Sequence, residues 1–311
     1  MPAAASSPRT VWLHLLWLGP IAVVFAAAAV LIANVIRDVP LVTAFIEQFP
    51  GSAALPDSAP VGLPAWLAWQ HFLNGFLLLL IIRTGWEIRL NPKAQEFWTR
   101  DNTGPLRTRN PPRRISLVLW FHLVLDALWV LNGVVYYVLL FATGQWVRIV
   151  PVGWDVLPNA LSVAIQYLSL DWPVENSWVN YNSLQLISYF LVVFVASPLA
   201  IITGIRMSPA WPRAWRGLGQ RLPVQWAIRL HFPVMLFFLL FIVSHVSLVL
   251  ATGALRNLNH MYGLRDDQSW TGVWFFAASI AVMVLGWVLA RPILLRTIAA
   301  WSGTLSRELP R

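Results

Sequence analysis

Four histidines, His71, His122, His231 and His245, lie inside long apolar stretches, and the 311-residue chain contains no cysteine. An ionisable side chain in hydrocarbon is costly and by default marks a functional site. Without cysteine there is no disulfide, no thiolate-bound iron–sulfur cluster and no covalent CxxCH attachment of haem, so imidazole is the soft ligand left for a redox metal. His231 and His245 are fourteen residues apart. On a helix that spacing is about 21 Å along the axis and within about 40° of one face, so one helix offers a ligand near each side of a bilayer. His14, near the start of the first apolar stretch, and His260, in a loop, lack this pattern and read as ordinary structural residues.

Composition sets the solvent in which these residues must be positioned. At 58% hydrophobic and 11% charged residues, the chain lies outside the range of soluble domains. Apolar segments near the roughly 20 residues needed to cross a bilayer occur at about 11–36, 65–82, 115–141, 182–205, 226–253 and 270–290. The expected fold is all-α integral membrane, with six transmembrane helices and a four-helix core bundle. Residues 1–64 form an N-terminal anchor helix and outer loop, 65–254 the core, and 255–311 an outer loop, the sixth helix and a tail. The first stretch is longer than the roughly 7–15 residues of a signal-peptide core and reads as an uncleaved anchor.

The net charge of +9 comes from 21 arginines and the single Lys93, and its distribution does not point to nucleic acid. One set of alternate loops, with both termini, holds 18 of the 22 basic residues. The other holds Arg37, Arg148, Arg256 and Arg265 together with eight acids, Asp38, Glu47, Asp57, Asp155, Asp171, Glu175, Asp266 and Asp267. Lys and Arg are retained on the cytoplasmic side, so a multi-pass protein of the bacterial inner membrane is expected, with both termini cytoplasmic and the acidic loops outside. Asn91-Pro92 before KAQEFW reads as the start of a helix, and residues 155–170 as a helix lying in the outer interface, where it also offers a docking surface. The 19 tryptophans cluster toward span ends, as in any lipid-embedded protein.

Alternate spans run in opposite directions, and this fixes the depth of each histidine. His71, early in the second span, and His245, late in the fifth, share the outer depth; His122 and His231 share the inner one. Two pairs at two depths, both using the fifth span, are what two b-type haems with bis-histidine ligation require. Gly75, Ser244 and Ser247 are small residues beside these ligands, and Arg83, Arg114, Arg206 and Arg229 are candidate partners for inner propionates, Arg229 foremost. Asp126, one turn beyond His122 and the only acid within a span, reads as an imidazole-orienting acceptor, as a proton-exchanging group beside a quinone, or as a core carboxyl bonded to Asn132 or a water. Zinc sites gather three or four ligands around one ion, which two separated pairs do not. The rival reading is a haem-free proton-coupled transporter or membrane scaffold.

The stretches WQHFLNGF, LWFHLVLD, RLHFP and VSHVS, with the fourteen-residue His231 to His245 spacing, resemble the bacterial di-haem cytochrome b subunits of nickel–iron hydrogenases, formate dehydrogenases and thiosulfate reductases. The resemblance covers about residues 65–254. It implies axial pairs His71 with His245 and His122 with His231, exchange with the quinone pool, and a partner oxidoreductase. LNGVVYYVLLFATGQW and NALSVAIQYLSLDWP are similar to cytochrome b/b6-domain proteins associated with a periplasmic molybdopterin oxidoreductase. The chain departs from the hydrogenase type by one helix before the core and one after it, and the charge count inverts the core in the membrane.

Overall fold

The computed structural model describes residues 8–91, 93–103, 107, 111–173, 176–212 and 215–307. Among these, six helices are long and apolar enough to cross a membrane: Gly19–Arg37, Ala65–Leu90, Leu117–Ala142, Ser183–Met207, Val224–Ala251 and Thr271–Leu289. They coincide with the six apolar stretches, and the chain is an all-α, multi-pass membrane protein. The second span continues to Leu90 rather than ending near 82 because its polar residues find partners on neighbouring spans. Arg83 donates to the carbonyls of Trp287 and, at 3.0 Å, Ala290, and the Arg89 guanidinium lies 3.8 Å over the Phe232 ring.

The chain divides into two compact units, Met1–Ala59 with Val147–Phe190, and Pro60–Trp146 with Leu191–Arg311. The first contains the helix Pro8–Arg37, the short helix Pro40–Gln48, the helix Val156–Leu168 and the beginning of the fourth span. Val156–Leu168 realises the helix expected at 155–170. It buries Val156, Ala160 and Val163 with Asn159, Ser162 and Gln166, while Leu157, Leu161 and Leu168 stay exposed. Asn159 Oδ1 accepts the Gly51 N–H at 2.8 Å, and the Ser183 N–H donates to the Gly51 carbonyl at 2.8 Å. Gly51 has φ +125°, and a Cβ there would strike Val163, so glycine is required on both counts. Arg148 is fully buried, donating to the carbonyls of Ser177 (2.6 Å) and Trp178 (3.3 Å) with its guanidinium 4.7 Å over Tyr181. This arginine therefore acts as a loop clamp and not as a surface charge.

The second unit holds spans two, three, five and six and the remainder of span four. Leu77, Leu80, Leu125 and Ala290 form one buried cluster, and Ala196, Val234 and Phe238, with Trp129 against them, form another. A Cβ on Gly75 would meet Met283, and one on Gly286 would strike the Phe76 ring, so both glycines let spans two and six approach. Span four contains a π-helical turn at Leu191–Ala196. Carbonyls loosened by that turn are satisfied by side chains, with Tyr137 Oη donating to Val193 O at 2.6 Å and Ser197 Oγ to Val192 O at 2.8 Å. One inserted residue turns the following helix by about 100°, and this sets the face presented by Thr203 and Gly204.

A small antiparallel sheet closes one end of this unit. Its strands are β1 (Glu96–Arg100), β2 (Ile115–Ser116) and β3 (Gly303–Arg307), in the order β2-β1-β3. Residues following Asn91 therefore do not start a helix, while Pro92 itself lies outside the described residues. Phe97, Trp98 and Thr99 favour a strand, and the tail segment 303–307, some 200 residues away, supplies the partner, pairing Trp98 with Leu305. The tail is also pinned by charge, since Glu96 accepts from Arg296 and, at 3.1 Å, from Arg307. The Arg296 hydrogen bond, with the two positive charges, holds the Glu96 carboxyl below its ordinary value.

A carboxyl with a depressed folded value contributes stability above its unfolded value, about 4.3, and loses it as pH falls through the folded one. Amides of residues 303–307 are thus expected to stay protected from hydrogen exchange at pH 7 and to lose protection only in acid below the usual glutamate range. Glu96→Gln should show raised exchange there already at pH 7.

Candidate functional site

All four span histidines belong to the second unit and meet in two pairs. His71 and His245 have ring centroids 6.1 Å apart at an interplanar angle of 55°. His122 and His231 are 6.5 Å apart at 76°. The first pair lies toward the loop 256–267, whose Tyr262 touches His71, and the second toward the arginine-rich end that carries the sheet. His14 lies where side chains are outside the described residues. His260 is buried and bonded to Asp266 Oδ1 at 2.8 Å, in a cluster with Arg256. Arg256, then His260, hold the Asp266 carboxyl well below the usual carboxylate range. His260 is thus a structural residue of the loop.

Hydroxyls lie against Nδ1 of three of the paired imidazoles. Thr84 Oγ1 is 2.7 Å from His122 Nδ1, Thr203 Oγ1 is 2.9 Å from His231 Nδ1, and Tyr262 Oη is 3.4 Å from His71 Nδ1. In these three rings Nε2 is the nitrogen that could bind a metal. His245 is steadied by Phe241, stacked at 5.5 Å and 9°. Each threonine is followed by a glycine against the same ring. A Cβ on Gly85 would lie 3.5 Å from His122 Cε1, and one on Gly204 would lie 3.6 Å from His231 Cε1. The His122–His231 pair is therefore cradled twice by the same device, a Thr-Gly on one span holding a histidine on the next.

The pairs can be tested against a bis-imidazole iron. First-row metals bind imidazole at about 2.0 Å, and a five-membered ring with bonds near 1.35 Å has a radius of about 1.15 Å. Two bonds and two radii place the centroids about 6.3 Å apart, and the observed 6.1 and 6.5 Å straddle that value. The donor set fits the group. A cavity of about 60 Å³ touches His122, His231, Asp126 and Gly204. That is far smaller than a macrocycle, so the match lies in the ring separation and not in an enclosed pocket. Among the described residues, no three His, Cys, Asp or Glu side chains gather as a metal site by themselves.

Several neighbours singled out from the sequence take other roles. Asp126 Oδ2 is 3.6 Å from His122 Nε2, too far for a hydrogen bond and on the opposite nitrogen from Thr84. The side chain bonded to the His122 ring is Thr84. Asn132 Nδ2 is buried with no partner, so Asn132 does not donate to Asp126. Ser244 and Ser247 are exposed, because residues one and two positions from His245 project from other faces of the helix. Gly75 serves the contact with span six. Arg83 caps span six, Arg114 bonds Ser306 Oγ and covers Phe97, and Arg206 bonds the Leu222 carbonyl, while Arg229 is exposed. Thr84, Thr203 and Tyr262 went unnoticed, and the signal for the first two was the recurring Thr-Gly at the depth of the neighbouring histidine.

No family model, curated protein or solved structure matches the chain.

The glycine beside His231 is directly testable. Alanine at Gly204 makes ordinary contact, whereas γ-carbons press on the ring. Gly204→Ala is expected to leave the unfolding midpoint in detergent near wild type, and Gly204→Val to destabilise by about 1–3 kcal/mol through overpacking.

Proposed function

We propose that the chain is a membrane-bound di-haem cytochrome b, passing electrons between the quinone pool and a partner oxidoreductase. The observation that carries this reading is the double histidine pairing, with ring separations of 6.1 and 6.5 Å and hydroxyls against Nδ1. Direct aromatic contact covers the same range of separations. Four imidazoles in hydrocarbon, paired at two depths and three of them met by a hydroxyl at Nδ1, favour coordination over packing.

Bound haem supplies one-electron chemistry at a potential tuned by its axial ligands and their surroundings. The chain's own residues hold and orient it: His71 with His245 toward the acidic end, His122 with His231 toward the basic end. The single helix Val224–Ala251 carries one histidine of each pair, about 21 Å apart along its axis. That distance spans most of a hydrocarbon core about 30 Å thick, so the two sites together carry electrons across it. The positive-inside charge split supports a bacterial inner membrane with both termini cytoplasmic. The partner then docks on the periplasmic, acidic face, and its substrate chemistry, molybdopterin-dependent by resemblance, is its own.

The test is a dithionite-reduced minus oxidised spectrum with haemochrome quantification, on wild type and on the four single His→Ala variants. About two b-type haems per chain are expected. His71→Ala and His245→Ala should remove one and the same haem, and His122→Ala and His231→Ala the other. A folded, haem-supplied preparation that contains none overturns the reading and leaves Asp126, with its proton-exchange chemistry, as the feature to pursue.

A further inference from the structure

The two threonine hydroxyls beside Nδ1 have their own protons already committed. Thr84 Oγ1 reaches the carbonyls of Leu80 (2.9 Å) and Ile81 (3.0 Å), and Thr203 Oγ1 those of Leu199 (2.7 Å) and Ala200 (3.1 Å). A hydroxyl has one proton. Once that proton is given to a backbone carbonyl, the oxygen facing the imidazole can only accept. The Ile81 carbonyl is a further acceptor beside the His122 ring. Both surroundings demand an N–H at Nδ1.

His71 faces a phenol instead, with Tyr262 Oη 3.4 Å from its Nδ1. A phenol oxygen can accept an N–H from the ring there. Tyr262 stands in the turn after span five, and its neighbour Asn259 fastens that turn. Asn259 Nδ2 donates to Asp267 Oδ1 (2.7 Å) and Ser269 O (2.7 Å), and Asn259 Oδ1 accepts from Gly272 N at 2.5 Å.

We infer that Thr84, Thr203 and Tyr262 are positioning residues that hold the protons of His122, His231 and His71 on Nδ1 and so keep each Nε2 lone pair available to a Lewis-acidic centre. The identity of that centre rests on the cytochrome reading; the tautomers do not. At the arginine-rich end the hydroxyls are built into the spans, whereas at the opposite end the phenol is delivered by a loop.

The experiment is magnetic resonance of full-length protein labelled with ¹⁵N-histidine, prepared from haem-supplied and haem-deficient cells, combined with potentiometric titration of the loaded form. Without haem, His71, His122 and His231 should be neutral and protonated at Nδ1. Thr84→Val, Thr203→Val and Tyr262→Phe should each disturb only the histidine they face, and Thr84→Ser and Thr203→Ser should restore the wild-type signal. In the loaded form, Thr84→Val should weaken haem retention at the His122–His231 site by about 10–100-fold. It should also raise the midpoint potential of that haem alone, because a weaker acceptor makes the imidazole a poorer donor; Tyr262→Phe should do the same only at the other site. Wild-type rings protonated at Nε2, a measurement that needs no variant, would overturn the inference. So would valine variants with unchanged tautomers and potentials. A haem-supplied preparation lacking haem sinks the cytochrome reading, while the tautomer measurement still decides the role of the hydroxyls.

Discussion

An imidazole in hydrocarbon has two nitrogens to satisfy and almost nothing to satisfy them with, because helical backbone spends its own donors and acceptors internally. The second unit is organised around that shortage. Each of three rings receives one side-chain hydroxyl at Nδ1, and the nitrogen left over is the one with coordinating chemistry. The supporting features follow from delivering those hydroxyls. Glycines after Thr84 and Thr203 let the neighbouring span bring its ring close. The π turn in span four re-aims the helix that carries Thr203, and Tyr137 and Ser197 compensate the carbonyls it disturbs.

Much of this was legible from sequence because two signals act over long stretches. Hydropathy located the six spans to within a few residues, except that Arg83 and Arg89 hid the last turns of span two. Alternating direction then placed His71 at the depth of His245 and His122 at that of His231, and the rings do meet in those pairs. What failed to show depended on side-chain direction or on distant partners. A threonine within a helix usually bonds back to its own preceding turn. Thr84 and Thr203 do so while also meeting a histidine, and residue type alone does not separate the two cases. Asp126 drew attention as the one acid within the expected spans, yet a hydroxyl on another span had already taken the place beside His122 Nδ1. KAQEFW has helix-compatible composition at its start, but residues 303–307 pull Glu96–Arg100 into a sheet that no local pattern announces.

The two histidine pairs differ in what holds them, and this difference has a physical consequence. Thr84 and Thr203 are fully buried within spans, so losing either contact means parting packed helices. Tyr262 rides on the turn 254–263, whose hold on the bundle runs through Asn259, itself completely buried and bonded on both amide atoms. Connecting segments open at lower free energy than packed core helices. The His71 ring is therefore coupled to the order of an external loop in a way that the His122 and His231 rings are not. Arg256, His260 and Asp266 tighten that loop from the outside, through a bidentate ion pair at 2.6 and 3.0 Å and a buried imidazole. Ordering this loop and bringing the Tyr262 phenol to His71 are consequently parts of one equilibrium. Whatever binds the folded loop also stabilises that contact, by as much as it prefers the ordered loop over the open one.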